Sequence, residues 1–348
     1  MSPSAADRHV KQGRLGAVRE ALGAEALLLT SHEAIAWYLD GARTHVSLAG
    51  PPVAAVRVTA AGDELYVAAN EVDRLIAEEL LDTDAATVIP VPWQTPPALA
   101  AAAAGAAVSE AEIAPLLRAA RAELLPAETE RYRRLGRETA EVLTDVASVL
   151  LPSSSERDAA AALSGALVAR GIDPLVVLVA GRGRLAHRHP LPTSAPLGPR
   201  AMLVVCGRRH GLIANATRWV GDAGPDDERI LDVEAAYFAA TVPGARLDEV
   251  FAAGCAAYGA AGFDADEWRR HHQGGAAGYA GRDPRATAET VDVVSAAHAF
   301  AWNPSAPGAK VEDTVLATAS GIEVLTVDER WPTTSRAGRL RPTARAFG

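Results

Sequence analysis

Only two of the 348 residues are cysteine, Cys206 and Cys255. Two thiols cannot build a disulfide framework or a Cys-rich zinc site. Lysine is equally scarce: Lys11 and Lys310 stand alone among 34 basic residues. With the abundant alanine, this reads as a coding bias and not as function. Positive charge is in deficit as well. The net charge of −9 argues against a protein that tracks nucleic-acid phosphates. No run of ~18 apolar residues is free of charges and helix breakers. The apolar stretch 98–108 is too short to span a bilayer. The polar start, residues 1–12, has no apolar core of a secretory signal, so a cytoplasmic location is expected. What remains is an ordinary globular balance, 49% hydrophobic and 22% charged. It excludes a disordered or fibrous chain. The length suits about two domains.

The first third alternates helix and strand. Residues 14–22 read as a helix ended by Gly23, residues 26–29 as a short buried strand, and residues 31–39 as a helical turn with Ser31 at its N-cap. Residues 53–58 and 64–67 read as strands joined through Gly62-Asp63. Residues 70–81 read as an amphipathic helix and 86–91 as another strand. The alanine-rich stretch 98–108 is a helix or a loose linker, and residues 110–124 read as a helix. Pro126 marks a boundary. Residues 128–151 and 156–170 then read as helices, the first with many Glu/Arg spacings of three and four. Beyond residue 175 strands dominate. The expected domains are 1–125 and 126–348.

One apparent signal fails on physical grounds. Gly181-Arg182-Gly183-Arg184-Leu185-Ala186 imitates a dinucleotide-binding glycine turn. Such a turn must open a helix whose N-terminus holds the pyrophosphate. Here it leads into Pro190 and Pro192, which do not start a long helix.

The stretch His189-Pro190-Leu191-Pro192-Thr193, followed by Leu197-Gly198 and a strand at 202–206, is more informative. It resembles the HxxPT region of the M24 peptidase superfamily: creatinase, prolidase, aminopeptidase P and methionine aminopeptidase. Further similarities follow in order. Gly211 through Asn215, Thr217 and Arg218 resembles GYxSDxTR. His271-His272-Gln273-Gly274-Gly275, then Arg282-Asp283, resembles HxxGHGxGxxxHE. Trp302-Asn303-Pro304 resembles the xEP motif, and Gly308 through Glu312-Asp313-Thr314 resembles GxxxEDT. In the first third, Tyr38-Leu39-Asp40-Gly41 resembles a turn of creatinase-type N-terminal domains. The resemblance implies an α/β (α+β) chain: a creatinase-like N-terminal α/β domain, then a pita-bread domain.

The superfamily's peptidases hold two divalent metals with two Asp, one His and two Glu. Carried over residue by residue, these positions fall on Val204 (or, with a small gap, Cys206 or Gly207), Asn215, Gly275, Asn303 and Glu312. Only Glu312 keeps a ligand of the family's type. One carboxylate cannot compensate the charge of a di-metal centre, so neither metal nor other cofactor is expected. Creatinase supplies a metal-free precedent. By that resemblance His189 is the general acid/base and Glu312 orients a cation or a water. Arg282 grips a carboxylate, and Asn215 and Asn303 bond a neutral polar group. Asp283 keeps the acidic character of its motif position, and Trp302 lines the pocket. The expected function is metal-independent C–N hydrolysis of a small polar substrate. The alternatives are a non-catalytic module that binds a peptide or protein, and a Xaa-Pro dipeptidase or aminopeptidase with an atypical metal site. Neither nucleic acid nor membrane is an expected partner; a homodimer is expected by resemblance. His271 and His272 are expected to point opposite ways, as neighbours in a strand do, and so not to ligate together.

Overall fold

The computed structural model describes residues 3–348. Met1 and Ser2, the first residues of the polar start, lie outside the described residues. The chain divides into two compact units, residues 1–128 with 210–212, and residues 129–209 with 213–348.

In the first unit, α1 (Ala5–Ala21), β1 (Ala26–Leu29), α2 (His32–Tyr38), β2 (Ala54–Thr59) and β3 (Asp63–Ala68) come first. They are followed by α3 (Val72–Glu78), α4 (Asp82–Ala85), β4 (Val88–Val91), α5 (Pro97–Ala103), β5 (Val108–Ser109) and α6 (Ala114–Ala122). The strands form one mixed sheet in the order β4-β3-β2-β1-β5. Leu28, Ala55, Tyr66 and Val91 pack with Ala101 of α5 on one face. Leu27 and Leu29, which point the other way, are fully buried as well. A continuous apolar strand such as β1 therefore fits a sheet covered on both faces. Ser31 caps α2 as expected, its side chain accepting the Ala34 N–H at 3.1 Å. Helix α1 begins well before residue 14, because Ser4 offers the same cap to Asp7. The helix expected over 70–81 is shorter: α3 has no side-chain cap, and Leu81 is extended.

The second unit carries α7 (Pro126–Ala147), whose first residues count with the first unit, and α8 (Glu156–Ala169). Then come β6 (Asp173–Gly181), β7 (Arg200–Arg209), β8 (Leu212–Gly221), α9 (Asp227–Ala240) and α10 (Leu247–Ala260). The remaining strands are β9 (Gly274–Ala276), β10 (His298–Trp302), β11 (Ser305–Ala306), β12 (Ala309–Lys310), β13 (Glu312–Thr318), β14 (Gly321–Val324), β15 (Thr333–Arg336) and β16 (Arg339–Pro342). Helix α8 starts on a full capping box between Ser155 and Asp158, worth ~1 kcal/mol. After β6 the chain makes only a short 3-10 turn at Arg182–Arg184, so no helix opens there. Seven strands form the main sheet in the order β6-β7-β8-β13-β10-β9, with β14 also paired to β13. One core lies between this sheet and α9 and α10: Tyr237, Phe238, Val250, Phe251 and Tyr258 pack with Phe300, Trp302 and Val315. Among the described residues no helix is long and apolar enough to cross a membrane.

Candidate functional site

Strand register decides which motif residues meet. Glu312 stands opposite Thr217 in the β13–β8 pairing, and Trp302 stands opposite Asp313 in the β10–β13 pairing. Side chains alternate along a strand. Glu312, Thr217 and Asn215 therefore share one face, while Asn303 lies just past the end of β10, its N–H on the Gln273 carbonyl at 3.1 Å. Asp313 and Trp302 point to the other side. There Asp313 is held by Arg218 at 2.8 Å and Arg341 at 2.6 Å, and Arg341 continues to Glu234 at 2.5 Å. The motif residues thus divide between a site face and a structural ion network behind the sheet.

At the centre of the site face, the Glu312 carboxylate is buried, 2% exposed. Arg282 Nη2 donates to Oε1 at 2.5 Å, Lys310 Nζ lies 3.1 Å from Oε2, and Thr217 Oγ1 donates to Oε2 at 3.2 Å. Burial alone would raise the acid's pKa. Lys310 and Arg282 outweigh it and hold the carboxyl down at about 2. Two cations around one anion leave the cluster with a net charge of +1. Asn215, on the same face, and Asn303, just past β10, are both buried, and the Oδ1 of each has no hydrogen-bond partner. Cys206 on β7 lies within electrostatic reach of Glu312 and Arg282. Burial first, then the Glu312 charge, pushes its thiol up to about 12, so it stays protonated and unreactive.

The paired-metal centre does not fit these residues. Both Glu312 oxygens already carry cations. At Gly275, where the resemblance places the metal histidine, φ is +140° and a Cβ would lie 2.4 Å from the carbonyl oxygen of Pro284. The backbone at that position excludes any side chain, histidine included.

Three imidazoles gather next to the charge cluster. His189 Nε2 and His271 Nε2 are 3.1 Å apart, and His271 Nδ1 is 3.2 Å from Ser305 Oγ. The His189 and His272 rings stack with centroids 6.0 Å apart. One ligand atom from each of the three lies within 4.8 Å of the others. This corrects the expectation that His271 and His272 diverge. Strand alternation does not apply, because both precede β9, which starts at Gly274. Burial is the first cause that lowers all three pKa values, to about 2 for His271 and about 4 for His272. Lys310 opposes protonation of His189 and His271, and Arg282 that of His272. The cluster is therefore neutral imidazole at neutral pH.

Buried acids hold the loops that carry these histidines. Glu156, fully buried, accepts from the N–H of Gly181 at 2.8 Å and from Thr193 N and Oγ1 at 2.9 and 2.7 Å, and it pairs with Arg184. That fixes the loop bearing His189 through the Pro192-Thr193 motif. Arg188 pairs with buried Glu267, just ahead of His271. Gln273 accepts from Tyr258 Oη at 2.7 Å and donates to the His271 carbonyl at 2.7 Å.

Of the residues singled out from sequence, His189, Arg282, Asn215 and Glu312 converge here, and Asn303 is buried at the end of β10. Trp302 does not: it is fully buried on the opposite face, stacked on Tyr237 at 4.5 Å, with its indole N–H on Thr241 Oγ1 at 3.0 Å. The reason is register: Trp302 stands opposite Asp313, on the face away from Glu312. Asp283 is not among the groups around Glu312 either. Its N–H bonds Ala276 O at 2.8 Å, and its charge acts on His298, at the start of β10. Sequence reasoning missed Lys310. The available signal was rarity: both lysines of this arginine-rich chain are buried in ion pairs, Lys11 with Asp40 and Glu128 at 2.5 and 2.7 Å.

A mixed α/β unit followed by this seven-stranded sheet with α9 and α10 packed on it matches the creatinase-type pita-bread architecture of the M24 peptidases. The chain has that fold. It is similar to the dipeptidase PepE from Mycobacterium ulcerans (19% identity, TM-score 0.77, all of both chains). It is also similar to the prolidase from Pyrococcus horikoshii OT3 (15% identity, TM-score 0.76, 92% of this chain and 99% of that one). A third similar structure is the N-terminal domain of a FACT complex subunit from Cicer arietinum (13% identity, TM-score 0.67, 92% and 97%). No family model matches the sequence, and no curated protein matches it.

Proposed function

We propose that this chain is a hydrolase that uses the pita-bread scaffold without paired-metal chemistry, and that it acts on a small polar substrate carrying a carboxylate and N–H donors. The observation that carries this reading is the Glu312 carboxylate clamped between Arg282 and Lys310. The clamp removes the last peptidase-type ligand from service and leaves a net positive charge in a partly dry site, where an anionic group gains most. The buried, unpartnered Oδ1 atoms of Asn215 and Asn303 ask for N–H donors, as a buried acceptor without a partner costs about 1–3 kcal/mol. An amide or guanidino group supplies such donors. His189, exposed and neutral at neutral pH, is the proton acceptor for an attacking water.

The test is product release from a panel of N-acyl amino acids, guanidino acids and Xaa-Pro dipeptides. Turnover of one of the first two classes, lost in His189→Ala, is the expected result. Cleavage of Xaa-Pro dipeptides that depends on Mn2+ or Co2+ would sink the reading. A second reading is a binding module without catalysis. The similarity to a domain of the FACT complex favours it, and binding of a peptide unchanged by His189→Ala, with no turnover, would select it.

A further inference from the structure

We infer that His189, His271 and His272 form a mononuclear site for a divalent transition metal, zinc above all, with the fourth position open. The three imidazoles come from two separate segments of one unit, and one ligand atom from each lies within 4.8 Å of the others. Neutral imidazoles are the form that binds metal. Three histidine nitrogens with one free position are a known arrangement for catalytic zinc, and imidazole suits zinc, copper and nickel better than magnesium or calcium.

The geometry carries the inference in three ways. First, His189 Nε2 and His271 Nε2 face each other at 3.1 Å. Two nitrogens bound at about 2.0–2.1 Å to a tetrahedral zinc stand about 3.3 Å apart, so little movement is needed to admit the ion. Second, His271 Nδ1 lies 3.2 Å from Ser305 Oγ. Engaging one ring nitrogen leaves the other as the ligand, the usual outer support of a metal-bound histidine. Third, His272 Nδ1 is a buried nitrogen with no hydrogen-bond partner. A metal satisfies it where the protein does not.

The charged neighbours specify the fourth ligand. Lys310, Arg282 and Arg285 act on this cluster against a cation, and Glu312 acts for it. A dication there favours an anion in the open position: a hydroxide formed from bound water or the carboxylate of a substrate. In the metal-loaded protein His189 would serve as a ligand, and the metal would supply the nucleophile by acidifying a bound water, whose proton passes to solvent. The inference rests on the reading that paired-metal chemistry is absent, and it names what stands in for it.

The experiment uses the full chain, stripped with a chelator, desalted and titrated with Zn2+ and separately with Co2+. Metal is counted by elemental analysis, and Co2+ is followed by the visible absorption of a four-coordinate ion. About one metal per chain is expected, lost in His271→Ala and His272→Ala. Because His189 is exposed, His189→Ala keeps the comparison valid if the other two variants fail to fold, and it too should lose the metal. Ser305→Ala should weaken binding about 10–100-fold. Folded Glu312→Gln should keep one metal. No metal on the wild type, or metal retained in all three histidine variants, overturns the inference while the proposed function stands. Two metals per chain, both lost in Glu312→Gln, overturn the inference and the proposed function together.

Discussion

Replacing Glu312 by glutamine tests the charge cluster most directly. The substitution keeps shape and removes the one anion between Arg282 Nη2 at 2.5 Å and Lys310 Nζ at 3.1 Å. Two buried cations are then left facing each other. Holding the acid at about 2 instead of its usual 4.5 corresponds to about 3 kcal/mol at pH 7. Breaking a buried pair by removing one partner costs about 3–5 kcal/mol by a separate route. The two figures agree, and for a unit of this size ~3 kcal/mol lowers the melting temperature by about 6–12 °C. The pH dependence gives a second reading of the same interaction. The folded-state pKa lies below the unfolded one, so this stabilisation is complete above ~4.5 and fades as pH falls toward ~2. Thermal unfolding by circular dichroism, wild type against Glu312→Gln, should show a gap that is full at pH 7 and shrinks below pH 4.5. Adding Lys310→Met should recover part of the loss. A melting temperature unchanged at pH 7 would refute the reasoning, because it would mean that solvent already screens the cluster.

Three further outcomes follow from the packing. Gly275→His should fail to recruit Mn2+ and should destabilise the protein by several kcal/mol, since the Cβ would meet the Pro284 oxygen at 2.4 Å at a φ of +140°; a variant that gains metal and keeps its melting temperature would contradict this. His298 is buried and lowered to about 4, so the unfolded imidazole takes a proton near pH 6.5 while the folded one does not; stability should fall by up to ~3 kcal/mol between pH 6.5 and 4, seen as an earlier urea midpoint, and His298→Gln should flatten that limb. Glu156→Ala, which strips the partners of Gly181, Thr193 and Arg184, should cost about 3–5 kcal/mol and abolish any turnover that depends on His189; an unaltered turnover would show that this loop does not need its anchor.

Local chemistry made much of the architecture legible. Ser31 announced its helix because a cap is a short-range hydrogen bond that needs no tertiary context. The apolar run at residues 26–29 announced a buried strand. The motif order from His189 to Thr314 carried the fold, because spacing along a chain survives the loss of individual ligands. Trp302 was misplaced, because its face is set by its pairing with Asp313 across β10 and β13, a register the sequence does not show. His271 and His272 were misread for another reason: alternation was applied where the backbone is not a strand. Lys310 was discounted as one of two survivors of a coding bias, although a lysine retained among 32 arginines marks a place where a compact point charge suits the site.

The sequence by itself determined the class of fold, much of the helix and strand order up to residue 175, and the absence of carboxylates at the family's ligand positions, because each of these is written in residue identity and spacing; it did not announce α9 and α10. Only the tertiary structure decided that Glu312 is an ion-pair centre, that the backbone at Gly275 admits no side chain, and that three histidines share one point in space. Those facts depend on distances between segments some thirty to eighty residues apart, such as Arg282 and Glu312 or His189 and His271, and on backbone angles. No local pattern encodes either.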